Sequence, residues 1–171
     1  MVILEPLMND ELQTRRAWFQ EYFDSSSRRI RNSRPKGYWY TCPGCGYPTH
    51  LERGGFDICE LCRWEDDGQD DPHADEVWGG PNGGYSLTKA RAHFVAYRTM
   101  SRDGNFSIER DGRGVDDHRR VGAIIALFDA LRGAGFSNWD SYLARSLWRA
   151  IIALSHTDYG DLPQRSDERT K

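Results

Sequence analysis

The sequence lacks the marks of several large protein classes. No apolar run approaches the ~20 residues of a membrane helix. The longest, near Ile124 and Ile151, are interrupted by Asp129 and Arg149. Residues Met1 to Met8 carry Glu5 and Pro6 and no basic stretch, so a secretory leader is not expected and a cytoplasmic protein is. A net charge of −3 and a pI near 5.9 lack the basic balance of a dedicated nucleic-acid binder. No H-E-x-x-H, G-x-S-x-G, Walker, G-x-G-x-x-G or EF-hand pattern occurs, and there is no internal repeat. The five histidines, at 50, 73, 93, 118 and 156, form no recognisable catalytic spacing.

Cysteine is also scarce, yet all four residues fall between positions 42 and 62. Cys42-Pro43-Gly44-Cys45-Gly46 and Cys59-Glu60-Leu61-Cys62 are two C-x-x-C pairs separated by thirteen residues. Two cysteines three apart can aim their sulfurs at one point if the chain bends tightly, and Pro43, Gly44 and Gly46 supply that bend. Four thiolates suit a tetrahedral ion, so Cys42, Cys45, Cys59 and Cys62 are the expected ligands of a structural Zn²⁺. Iron is the competitor, because rubredoxin-type sites share this ligand set. Only the first pair has both the Pro and the trailing Gly, which favours zinc. A redox C-x-x-C would need a βαβ setting that the flanks do not show. Disulfides would need an oxidising compartment. His50 reads as a surface or capping residue, since four thiolates already complete the shell.

The fold class expected is α+β: a small rubredoxin-like or zinc-ribbon β module with a mainly helical remainder. Residues 1–37 read as an N-terminal helix over 9–24, with Asp10 and Gln13 at capping-box spacing, followed by a basic connector containing Arg28, Arg29, Arg31, Arg34 and Lys36. Residues 38–100 read as the ribbon and a helix opened by Ser86, with Leu87, Ala90, Phe94 and Tyr97 along its stripe. The glycine-rich bridge at 79–84 is ascribed to close backbone packing. Residues 101–117 read as a linker, 118–156 as a helical hairpin and 157–171 as a loose tail. In the hairpin, Val121, Ile124, Ile125, Phe128 and Leu131 form one stripe, which Gly133 and Gly135 terminate. Trp139, Tyr142, Leu143, Leu147, Ala150, Ile151 and Leu154 form the other, after a cap at Ser137 and Asp140. These faces must pack on the first helix, the ribbon or a second copy of the chain.

From Tyr40 to about Tyr97 the chain resembles the bacterial cysteine-rich CPCC family. The residues that carry the resemblance include Cys42-Pro43, Cys45-Gly46-Tyr47, Glu52-Arg53-Gly54-Gly55, Ile58-Cys59, Cys62, Trp64-Glu65-Asp66-Asp67-Gly68, Asp71-Pro72, Asn82-Gly83 and Ala90-Arg91. Gly44 stands where the family's namesake motif has a further cysteine, which leaves the four-cysteine set intact. The resemblance implies a small metal-binding module and no established enzyme activity.

Glu65, Asp66, Asp67, Asp70 and Asp71 crowd the loop after the second pair. Packed carboxylates repel one another, and a cationic partner relieves that repulsion. The expected function is therefore a non-enzymatic protein-interaction module, an immunity-type or regulatory binder of a basic partner. Glu65, Asp66, Asp67, Asp70 and Asp71, with Arg28, Arg29 and Arg31, are its contact candidates. A zinc-ribbon nucleic-acid binder is the second reading, although the acidic loop would repel phosphate. A hydrolase using Asp66, Asp67 and His73 around a second metal is the third.

Overall fold

The computed structural model describes residues 4–29, 40–101, 116–135 and 142–155. Its elements are helix α1 (Leu4–Arg29), strands β1 (Tyr40–Thr41) and β2 (Pro48–His50), 3-10 turns at Asp71–His73 and Gly80–Asn82, and helices α2 (Leu87–Tyr97), α3 (Asp116–Ala134) and α4 (Tyr142–Leu154). Four helices with a two-stranded antiparallel sheet make the described residues α+β. None of the described helices is long and apolar enough to cross a membrane.

α1 runs beyond the expected 9–24 at both ends. Pro6 lies in its first turn, where a missing N–H breaks no helical bond, and no proline follows until Pro35. Asp10 is consequently inside the helix and caps nothing. Gln13 instead donates to Asp71 Oδ2 at 2.9 Å. Arg28 and Arg29 end the helix, while Arg31, Arg34 and Lys36 lie outside the described residues, as do 102–115 of the expected linker and the tail from 156.

The two strands pair with Tyr40 opposite His50 and Thr41 opposite Pro48, with an irregularity between them. An isolated bridge from Ile58 to Glu65 closes the second hairpin. Ser86 caps α2 as expected, its Oγ accepting from Lys89 N at 3.2 Å. Leu87, Ala90 and Phe94 are buried, but Tyr97 is exposed because the helix ends at once on left-handed Arg98. The bridge glycines do not serve close packing: a Cβ at Gly79, Gly80 or Gly84 would meet nothing within 4 Å. Gly79, Gly80 and Gly83 take positive φ (74°, 59° and 60°), so turn geometry explains them.

α3 buries Val121, Ile124, Ile125, Phe128 and Leu131, as the periodicity expects. It passes through Gly133 and stops at Gly135, φ 75°. α4 is rotated relative to expectation. Ala144, Trp148 and Ile151 face inward, Leu147 and Ala150 are partly covered, and Tyr142, Leu143 and Leu154 are exposed. The expected cap at Ser137 and Asp140, with Trp139, lies outside the described residues.

One cluster of buried side chains joins α1, the cysteine turns, α2 and the two C-terminal helices. Phe128 is its centre: Phe19 meets it edge-on at 5.4 Å, Tyr47 of the first cysteine turn stacks on it at 5.5 Å, and Trp148 meets it edge-on at 5.8 Å. Trp148 Nε1 donates to Tyr22 Oη at 2.8 Å, so the buried indole keeps a partner. The segments expected as successive units thus share a continuous interior, and removing Phe128 would cost about 3–5 kcal/mol.

Candidate metal centre

Cys42, Cys45, Cys59 and Cys62 bring their sulfurs within 4.8 Å of one another, and each residue is at most 1% exposed. Cys42 Sγ lies 3.5 Å from Cys62 Sγ, and Cys45 Sγ lies 3.6 Å from Cys59 Sγ. Zn–S bonds of about 2.3 Å arranged tetrahedrally give sulfur–sulfur edges of about 3.8 Å. The cage therefore fits one ion of that size and preference. It is the one group of three or more His, Cys, Asp or Glu ligand atoms gathered this closely among the described residues.

Two similar turns build the cage. In the first, Cys42 N donates to Tyr47 O and Gly46 N to Cys42 O, both at 2.8 Å. In the second, Cys59 N donates to Trp64 O and Arg63 N to Cys59 O, again at 2.8 Å. Each turn reverses on a left-handed residue, Gly46 (φ 77°) or Arg63 (φ 71°). Further donors point at the sulfurs: Gly44 N to Cys42 Sγ (3.3 Å), Cys62 N to Cys59 Sγ (3.4 Å) and Thr49 Oγ1 to Cys59 Sγ (3.1 Å). Such bonds favour the charged thiolate, the form that binds metal.

The electrostatics of the cage call for a cation. Burial pushes every thiol up; hydrogen bonds from its neighbours nevertheless bring Cys42 well below the ordinary value and Cys59 below it, whereas Cys45 and Cys62 remain raised well above it. Four anionic sulfurs at these distances repel strongly in a dry interior, and a divalent ion removes that penalty. The four cysteines are positioned to bind a metal ion.

Residues 40–110 match the profile of the family described as Cysteine-rich CPCC. Over that segment the chain is similar to the family. The match runs past α2, beyond the Tyr97 limit of the sequence resemblance. No curated protein and no solved structure is significantly similar to the chain. Where the family's name places an inner cysteine, Gly44 presses on the cage: a Cβ there would stand 3.3 Å from Cys62 Sγ and from Trp64 Cβ.

His50 is not a surface residue. It is fully buried, and although burial alone would lower its pKa, the adjoining Cys42 thiolate raises it to about 9. The acidic loop also differs from a free charged surface. Asp66 is buried against Arg53, whose Nε donates at 2.7 Å. Asp70 is gripped by both Arg16 Nη atoms at 3.0 Å and by Arg53 Nη1 at 2.8 Å. Those two guanidinium groups outweigh burial and hold the Asp70 carboxyl down at about 2. Asp71 pairs with Arg16 and with Arg91, while Asp67 accepts from Gln69 N and Asn82 Nδ2. Of the five carboxylates, Glu65 and Asp67 have no ion pair among the described residues.

Sequence reading missed the groups that dock the cage on the helices. Arg15 Nη1 donates to Cys45 O (2.7 Å) with its guanidinium over the Tyr47 ring, and Arg91 Nε donates to Pro43 O (2.9 Å). Glu60, buried between the second pair of cysteines, binds Arg120 of α3 at 2.9 Å and accepts from Ser155. These partners lie 30 to 95 residues away, beyond any short motif. A charged residue between two ligand cysteines, as at Glu60, was the available signal.

Proposed function

We propose that the chain is a protein-binding module held in shape by one structural zinc ion, with no catalytic role for the metal. The observation that carries this reading is the closed cage: four sulfurs, none accessible, fill a tetrahedral shell and leave no open position for substrate or water. The pair of equivalent turns supports a rubredoxin-like or zinc-ribbon class, and the absence of Pro and Gly from the second turn favours zinc over iron. The hydrolase reading loses support because Asp66 is committed to Arg53, and exposed His73 to Glu76.

The contact surface moves with the ion pairs. Glu52, Asp57 and Glu65 have no ion-pair partner among the described residues, and the same stretch exposes Leu51, Phe56 and Ile58. Phe56 holds φ 60°, costly for a bulky residue, while its N–H is tied to Asp66 O at 3.0 Å. Exposed apolar groups flanked by carboxylates suit a protein partner with a basic rim, in a regulatory or immunity-type role.

Elemental analysis of untagged protein tests the first half. One zinc per chain in a colourless protein supports the reading, and stoichiometric iron or disulfides oppose it. For the second half, association with a partner recovered from cell extract is measured against ionic strength for wild type and for a Glu52→Gln, Asp57→Asn, Glu65→Gln variant. Slower association with a flatter salt dependence supports a basic protein partner. Tighter binding of single-stranded or duplex nucleic acid by that variant, with no protein partner recovered, would promote the nucleic-acid reading.

A further inference from the structure

β2 ends on a histidine that the cage, as described by its four cysteines, does not use. His50 is 0% exposed, and neither ring nitrogen has a hydrogen-bond partner of ordinary geometry. Buried polar groups rarely lack one, because a dry interior offers no water in its place. Pairing of β1 with β2 sets His50 opposite Tyr40, two residues before Cys42, and its neighbour Thr49 already donates to Cys59 Sγ.

The two leading cysteines differ in their donors. Cys59 Sγ receives two, Cys62 N and Thr49 Oγ1, whereas Cys42 Sγ receives Gly44 N. Cys42 lies close enough to His50 to favour its protonated form, and His50 close enough to Cys42 to favour the thiolate. We propose that His50 donates a ring N–H to the Cys42 thiolate when the four cysteines hold a metal ion, and so positions and tempers that ligand. The bond needs no change of charge, since a neutral imidazole carries one N–H. It rests on the metal-site reading above. A sulfur bound to metal keeps lone pairs, and donors aimed at them fix ligand orientation and tune donor strength.

The direct test uses the wild-type chain loaded with ¹¹³Cd and labelled with ¹⁵N. A ¹H–¹¹³Cd coupling linking the ion to a His50 ring N–H, beside those from the Gly44 and Cys62 amides, is expected. Amide couplings without the histidine coupling would overturn the inference while leaving the metal site intact. A wild-type chain that binds no Cd²⁺ or Zn²⁺ would overturn both. Zinc competition on variants adds a second readout: His50→Leu should bind about 10–100-fold more weakly, and His50→Gln, which retains an N–H, should recover much of the loss. Wild-type affinity in His50→Leu, or equal loss in both variants, assigns His50 to packing alone. Should the leucine variant fail to fold, the cadmium coupling in wild type decides.

Discussion

The two cysteine turns share a backbone and differ in everything attached to it. Both close with the same pair of hydrogen bonds and reverse on a left-handed residue. At that residue the first turn has Gly46, where a Cβ would approach Leu12 Cδ1 of α1 to 2.9 Å. The second has Arg63. The left-handed bend thus belongs to the turn, whereas the glycine belongs to the close approach of α1. The faces diverge likewise: the first turn is held by Arg15 of α1 and Arg91 of α2, and the second reaches the C-terminal helices through Glu60 and Arg120. One ion would therefore sit where two groups of helices meet.

If both turns depend equally on the ion, Cys45→Ser and Cys59→Ser should each abolish stoichiometric metal and cooperative melting. Retention of metal and a sharp melt by either variant, in elemental analysis and calorimetry, would break the equivalence. The second turn's link is next in size. Arg120→Met takes the counter-charge from Glu60, which is 4% exposed, and should destabilise by about 3 kcal/mol in denaturant titrations while metal is retained. The left-handed positions should then separate the turns. Gly46→Ala combines a positive φ with the crowding by Leu12 and should cost about 1–3 kcal/mol. Arg63→Gly relieves the same strain against a larger unfolded-state entropy and should stay within about 1 kcal/mol of wild type. Equal effects would show that α1 does not decide the glycine.

The smallest expected effect is in acid. Asp70, held at about 2 against an ordinary 3.8, contributes stability that is complete above its ordinary value and lost as pH falls towards 2. Asp70→Asn should be less stable than wild type at neutral pH and lose less between pH 4 and 2. Thiolate protonation common to both chains cancels in the difference. Parallel acid profiles would remove Asp70 from the account.

The cage was legible because its ligands are local: two C-x-x-C pairs within twenty-one residues specify a turn, a turn and a shared ion. α3 was legible because its stripe follows one period. The stripe of α4 was misplaced, since Tyr142, Leu143 and Leu154 are as apolar as the residues that are in fact buried, and Trp148 found its place through Tyr22 of α1. The acidic loop looked free because Arg16, Arg53 and Arg91 reach it from three separate segments. His50 looked superfluous because ligand counting says nothing of what surrounds the ligands.

The central claim is that one metal site organises a core shared by the cysteine turns and the helices. Stepwise chelation of the metal-loaded chain tests it most directly, with released zinc, far-ultraviolet circular dichroism and tryptophan emission followed together. The account predicts coincident loss of metal, of much of the helical signal and of the environment of buried Trp64 and Trp148. Complete metal removal with an unchanged helical signal and an unchanged melting temperature would contradict it.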